Sequence, residues 1–208
     1  MYPEHRVDEF LDRLASSAPE PGGGAAAALA AATGAALVSM VANLTIGKEK
    51  FATVQDEMRA TLERAEALRT TLVAAIDRDA ESFRQVMAAY RLPRENAGQQ
   101  TARKQAIDAA LRDAARVPAE VVTLCAEVAA LSRQVLEKGN PQVLSDAAVA
   151  ALLADAGAQS AALNVRINLK GIADPAFTGP LWDEVRGRLD AIRSARDEVV
   201  RIAYERLG

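Results

Sequence analysis

The sequence holds one histidine, His5, and one cysteine, Cys125. With its single imidazole close to the start of the chain, Ser-His-Asp and Cys-His catalysis are not expected. Zinc sites built from several His and Cys ligands, including the His-Cys-Cys set of the zinc deaminases, are excluded for the same reason. One cysteine forms no intramolecular disulfide, so a reducing cytoplasm is the expected location and Cys125 reads as core. Strand signals are nearly absent, with no sustained β-branched alternation and no Asn-Gly hairpin turn. No basic run offsets a net charge of -3, which argues against nucleic acid as a partner. The first ten residues, MYPEHRVDEF, carry acids and no apolar stretch, so a signal peptide is not expected.

What remains is apolar and helical. Half of the 208 residues are hydrophobic, yet only 4% are aromatic, and alanine fills much of the difference. Small side chains suit closely approaching helix axes. The periodicity predicts helices over about 7–15, from the glycines at 22–24 to near Gly47, and over 53–90, 97–116 and 145–170. The fourth resumes after Pro118 and closes at Gly139-Asn140-Pro141, Ser145 or Asp146 caps the fifth, and a last helix runs from Leu181 to Leu207. The expected fold is all-α: one domain over 1–208, an antiparallel helical bundle with long helices. Its expected packing positions include Val7, Phe10, Leu11 and Leu14 on the first helix. On the last they are Leu189, Ile192, Val199, Ile202 and Tyr204, beside a solvated charged face.

The segment between Glu20 and Lys48 has no charge, and by count alone it could cross a bilayer. Its glycines and alanines, with Thr33, Ser39 and Asn43, make it weakly hydrophobic where insertion needs leucine-class residues. A buried bundle helix is the expectation, with no membrane. Gly22-Gly23-Gly24 precede it. They lack the Gly-Lys-Ser/Thr ending of a P-loop and follow Pro19 and Pro21 rather than a strand, so neither nucleotide-binding pattern fits. They read either as a turn with close helix packing or as a helix end whose N–H groups receive a ligand oxygen.

Carboxylates, lysines and amides are then the groups left for chemistry. Asp79 shares a helical face with Leu72, Ile76, Phe83, Val86 and Tyr90, whereas Asp77 points away. A carboxylate in an apolar stripe is either an acid–base group or one partner of a buried ion pair. Asp146, Ala150, Leu153, Gly157, Ala161, Asn164 and Asn168 follow at three- or four-residue steps. The two asparagines suit a heterocycle presenting donors and acceptors along one edge, or else they bridge helices. Asp146 reads equally as a cap. Asn43, near the end of the apolar helix, and Lys48 just beyond it complete the candidate binding set; Lys48 either attracts an anionic tail or simply complements the helix dipole.

Three stretches together carry a resemblance: PEPGGGAAAALAAATGAALVSMVANLTIGKEKF, DRDAESFRQVMAAYRLPR and EKGNPQVLSDAAVAALLADAGAQSAALNVRINLKGI. In this order they resemble the cyclodeaminase/cyclohydrolase family acting on one-carbon tetrahydrofolates. That family includes the C-terminal half of formiminotransferase-cyclodeaminase and free-standing bacterial methenyltetrahydrofolate cyclohydrolases. The resemblance implies an all-helical fold, a homodimer or higher assembly, a folate substrate held in a groove, and neither metal nor further cofactor. It places the catalytic aspartate in Asp79-Ala80-Glu81-Ser82-Phe83, on Asp79, with Asp77 as fallback. It also marks Gly22–Gly24, Ser145-Asp146 and Asn164–Asn168 as motif positions. Ala25, Ala148 and Arg94 depart from the family's usual Ser, Gly and Lys and leave the choice between its two reactions open. Without that likeness, a non-catalytic helical interaction module is the alternative.

Overall fold

The computed structural model describes residues 6–208, so His5 lies outside the described residues. Six α-helices follow in order: α1 (Val7–Leu14), α2 (Gly23–Asn43), α3 (Gln55–Tyr90), α4 (Ala97–Lys138), α5 (Leu144–Leu169) and α6 (Pro175–Leu207). No strand occurs among the described residues. Helices α2, α3, α4 and α5 pack as a ring of neighbours, and α6 lies on α4 and α5.

Side-chain pairs show the antiparallel register of α3 and α4. Lys138 meets Glu57 at 2.6 Å, Thr61 donates to Gln134 at 3.3 Å, and Arg78 meets Glu120 at 2.8 Å. Such half-exposed ion pairs contribute little energy, roughly 0–1 kcal/mol each, but they mark the alignment. Burial supplies the rest. Ala25, Ala28, Ala31 and Ala35 on α2 and Ala147, Ala150, Ala151, Ala154 and Ala158 on α5 are fully buried. A Cβ added at Gly34 would stand 3.0 Å from the Ala150 carbonyl oxygen, and one at Gly157 would stand 3.0 Å from that of Ala27. The two helices therefore touch backbone to backbone, which explains why the interior is built from alanine and glycine.

Several boundaries differ from the sequence expectation. Helix α4 runs unbroken through Pro118, which is buried within it. Helix α6 begins at Pro175 and continues through Pro180. Pro118 is buried, and tertiary packing outweighs its local cost, whereas Pro180 is exposed and nothing in the structure explains its place. Asn140 caps a short 3-10 turn, Pro141–Val143, which leads into α5, so Ser145 and Asp146 lie in the first turn of α5 rather than at its cap.

Packing positions shift as well. Phe10 is buried, but Val7 and Leu11 are exposed because α1 lies over one edge of the core. Leu189, Ile192 and Val199 are buried, whereas Tyr204 is 73% exposed. The last helix carries the expected surface pairs, among them Arg188–Glu184 and Arg201–Glu205. Cys125 is fully buried, and burial pushes its thiol up to about 12, with Asp155 adding to the effect. It is an inert core residue.

Candidate active site

One cavity of about 340 Å³ opens where the N-terminus of α2, the second half of α3 and the C-terminal end of α5 meet. Gly22, Gly23, Gly24, Asp79, Asn164 and Asn168 all line it. The antiparallel arrangement puts them together. The start of α2 faces the end of α5, and the amide of Asn164 stands over Gly23, 3.7 Å from where a Cβ would project.

Asp79 occupies the floor. It is half-buried, and no salt bridge reaches it among the described residues. Burial raises its carboxyl above the ordinary aspartate range, and a hydrogen bond from the Ala25 backbone N–H partly opposes this. Gly22 caps α2 without a side chain, so one unpaired N–H of the first turn is satisfied by a carboxylate from another helix. Gly24 makes the approach possible. A Cβ there would overlap the Asp79 carboxylate itself.

The asparagines are oriented by their own hydrogen bonds. Asn164 Nδ2 donates to the Ser160 carbonyl at 2.9 Å, and Asn168 Nδ2 donates to the Ala114 carbonyl at 2.8 Å. In each amide one of the two N–H groups is engaged by the protein, which leaves Oδ1 as an acceptor and the second N–H as a donor for a ligand. The oxygens accept from donors on a ligand, and the second N–H groups can meet acceptors along the same edge.

Residues outside the candidate binding set complete the wall: Pro19, Glu20, Ser82, Ala114 and Ile167, with Val86 from the apolar face of Asp79. Phe83 also faces the cavity and is 38% exposed, so it belongs to the pocket wall rather than to the core stripe. Its position one helical turn from Asp79 was the available signal for it. Glu20 is bound by Arg84 at 2.8 and 3.0 Å, which ties the segment before α2 onto α3.

Asn43, Lys48 and Asp146 are not brought to this cavity. Asp146 and Asn164 share a face of α5, but 18 residues at 1.5 Å each separate them by about 27 Å. Asn43 ends α2 at the same far end of the bundle, and Lys48 follows it.

Together these features define an all-helical protein with a small-molecule site built around one desolvated acid. Comparison with known proteins narrows the class. Residues 6–187 match the formiminotransferase-cyclodeaminase family, and the chain belongs to that family. It is 50% identical over 183 residues to the methenyltetrahydrofolate cyclohydrolase of Methylorubrum extorquens, covering 88% of each chain. It is 33% identical over 168 residues to the formimidoyltransferase-cyclodeaminase of Rattus norvegicus, covering 81% of this chain but 31% of that protein. The chain therefore spans about a third of the rat relative. Its fold superposes on the crystal structure of formiminotetrahydrofolate cyclodeaminase from Thermotoga maritima with a TM-score of 0.90. That pair is 31% identical, and the match covers 100% of both chains.

Proposed function

We propose that this protein acts on the one-carbon bridge between N5 and N10 of tetrahydrofolate, foremost as a 5,10-methenyltetrahydrofolate cyclohydrolase. The observation that carries this reading is Asp79: a carboxylate with no salt-bridge partner among the described residues and a raised proton affinity, facing a cavity lined by two amide acceptors. Hydrolysis of a methenyl cation needs a proton taken from water and a proton given to nitrogen, and one such carboxylate performs both. Asp79 accepts a proton from water as its oxygen bonds to the methenyl carbon. The resulting neutral carbinol then loses its carbon–N5 bond while Asp79 returns the proton to N5. The remaining hydroxyl proton leaves to solvent as the formyl C=O forms on N10. Before reaction, the ionised carboxylate also favours the cationic substrate electrostatically.

The amide acceptors, Asn164 Oδ1 and Asn168 Oδ1, suit the N–H-rich edge of a reduced pterin, and Phe83 and Ile167 offer apolar walls for its rings. Ring closure of 5-formiminotetrahydrofolate with loss of ammonia passes through the same tetrahedral carbon, and the same carboxylate serves it. No cofactor beyond the folate is proposed, and the location is cytoplasmic.

Loss of the near-ultraviolet absorbance of 5,10-methenyltetrahydrofolate on adding the protein tests the assignment. A rate equal to that of the buffer contradicts it. Ammonia release from the formimino substrate then separates the two activities. Asn164→Leu and Asn168→Leu are each expected to raise the folate Kd by about tenfold, the scale of one lost hydrogen bond in a partly desolvated site. Unchanged affinity in both variants, by fluorescence titration, returns the asparagines to purely structural duty.

The functional unit is proposed to be a homodimer. Val149, Leu152, Leu163 and Ile167 are exposed along α5, and the stripe they form ends at the cavity. Asn43, Lys48 and Asp146 belong to the binding surface only where a second copy brings them across. Sedimentation equilibrium is expected to give twice the chain mass; a monomer at micromolar concentration removes this part of the proposal.

A further inference from the structure

Helix α4 contains a proline that its own hydrogen bonding does not accommodate. Pro118 has no N–H, so the Ala114 carbonyl, four residues earlier, loses its helical donor. Both residues are buried, and a buried acceptor without a partner is costly. The missing donor comes from α5: the Asn168 side-chain nitrogen reaches the Ala114 oxygen at 2.8 Å. Ala114 and Asn168 both line the cavity that holds Asp79.

The geometry points to Pro118 as a positioning residue for the site, acting through the Ala114 carbonyl on the Asn168 amide. Only the NH₂ end of an amide can face a carbonyl oxygen, so the vacated acceptor decides which way the amide is turned. Oδ1 is left as an acceptor, with no protein donor among the described residues. Oδ1 is therefore held in one place, where it can accept from a ligand N–H. The proline itself does not line the cavity. This inference rests on the folate reading for its kinetic consequence, but not for its structural one.

Pro118→Ala is the test. Alanine restores the N–H, so the helix can satisfy the Ala114 oxygen internally, and the Asn168 amide becomes free to rotate. Alanine also favours the helix interior, so the thermal midpoint is not expected to fall. The expected kinetic result is a KM for 5,10-methenyltetrahydrofolate raised about tenfold with kcat within about twofold, the pattern of weakened uniform binding. In an Asn168→Ala background the same proline substitution should leave KM unchanged, because the group it acts through is gone. An unchanged KM in the single variant, or an equal rise in both backgrounds, overturns the inference.

A second readout does not depend on turnover. In the wild-type protein, hydrogen exchange of the Asn168 side-chain amide, followed by NMR, should be slower by about tenfold or more than that of the exposed Asn43. In Pro118→Ala it should approach the Asn43 rate. Equal protection in both proteins overturns the inference even if the wild type proves inactive on folates, an outcome that contradicts the functional proposal separately.

Discussion

Replacing Asp79 by asparagine is expected to lower turnover by ~100-fold or more while the fold and folate binding persist, the usual scale for losing a general acid–base group. The substitution is nearly isosteric. The amide side chain would still offer an oxygen to the Ala25 N–H, so the first turn of α2 keeps its acceptor and a purely capping role would be preserved. That separation makes the variant informative: a cap survives it and a proton carrier does not.

Stability supplies an independent check with a definite sign. The folded-state proton affinity of Asp79 is raised, so the folded protein binds more protons than the unfolded chain above the ordinary value of 3.8. Stability contributed by this group is present at low pH and is lost as pH rises through the folded pKa. Asp79→Asn removes that loss. At neutral pH the variant should therefore melt no lower than the wild type, and circular dichroism melts across pH 4–8 would show it. Near-normal turnover in the variant refutes the catalytic role. A collapse of the melting temperature shows instead that the carboxylate was chiefly structural.

Gly24→Ala is expected to be nearly as damaging to activity, against the intuition of helix propensity. In an ordinary helix interior this change is stabilising by about 1 kcal/mol. Here the new methyl overlaps the Asp79 carboxylate, and backbone on one side leaves the acid to move. A displacement of about 1 Å from reacting geometry costs on the order of 100-fold in rate. Overpacking should also destabilise the fold by about 1–3 kcal/mol. Placing Gly24→Ala in an Asp79→Ala background relieves the overlap, so the stability cost should largely vanish there, by denaturant titration. An equal cost in both backgrounds shows that the clash lies elsewhere.

The pocket was legible in the sequence to the extent that its parts were local. Three consecutive glycines before an apolar helix mark a helix end, and Asp79 stands out because its helical neighbours are apolar. Asn164 and Asn168 share a face by simple spacing. Helical spacing does not fix distance along the axis, however, and so Asp146 was grouped with asparagines that lie some five turns away. Lys48 and Asn43 fall at the far end for a related reason: α2 runs away from the cavity that its first turn helps to form.

Other features depended on contacts between helices. The burial of Pro118 inside α4 follows from packing and from a hydrogen-bond donor on α5, neither of which appears in the residues around it. The exposure of Tyr204, and of Val7 and Leu11, likewise reflects which helix faces found a neighbour. Family likeness pointed to the reaction class, while the orientation of the Asn168 amide, with its nitrogen turned to the Ala114 carbonyl of α4, depends on the assembled fold.

The most direct measurement is the pH dependence of kcat/KM for 5,10-methenyltetrahydrofolate in the wild type and in Asp79→Asn, each corrected for the uncatalysed rate. If an ionised Asp79 takes the proton from water, the wild-type profile falls on its acid side through a pKa above the ordinary aspartate range, and that limb is missing from the residual activity of the variant. The same acid limb in both proteins would assign the proton transfer to another group.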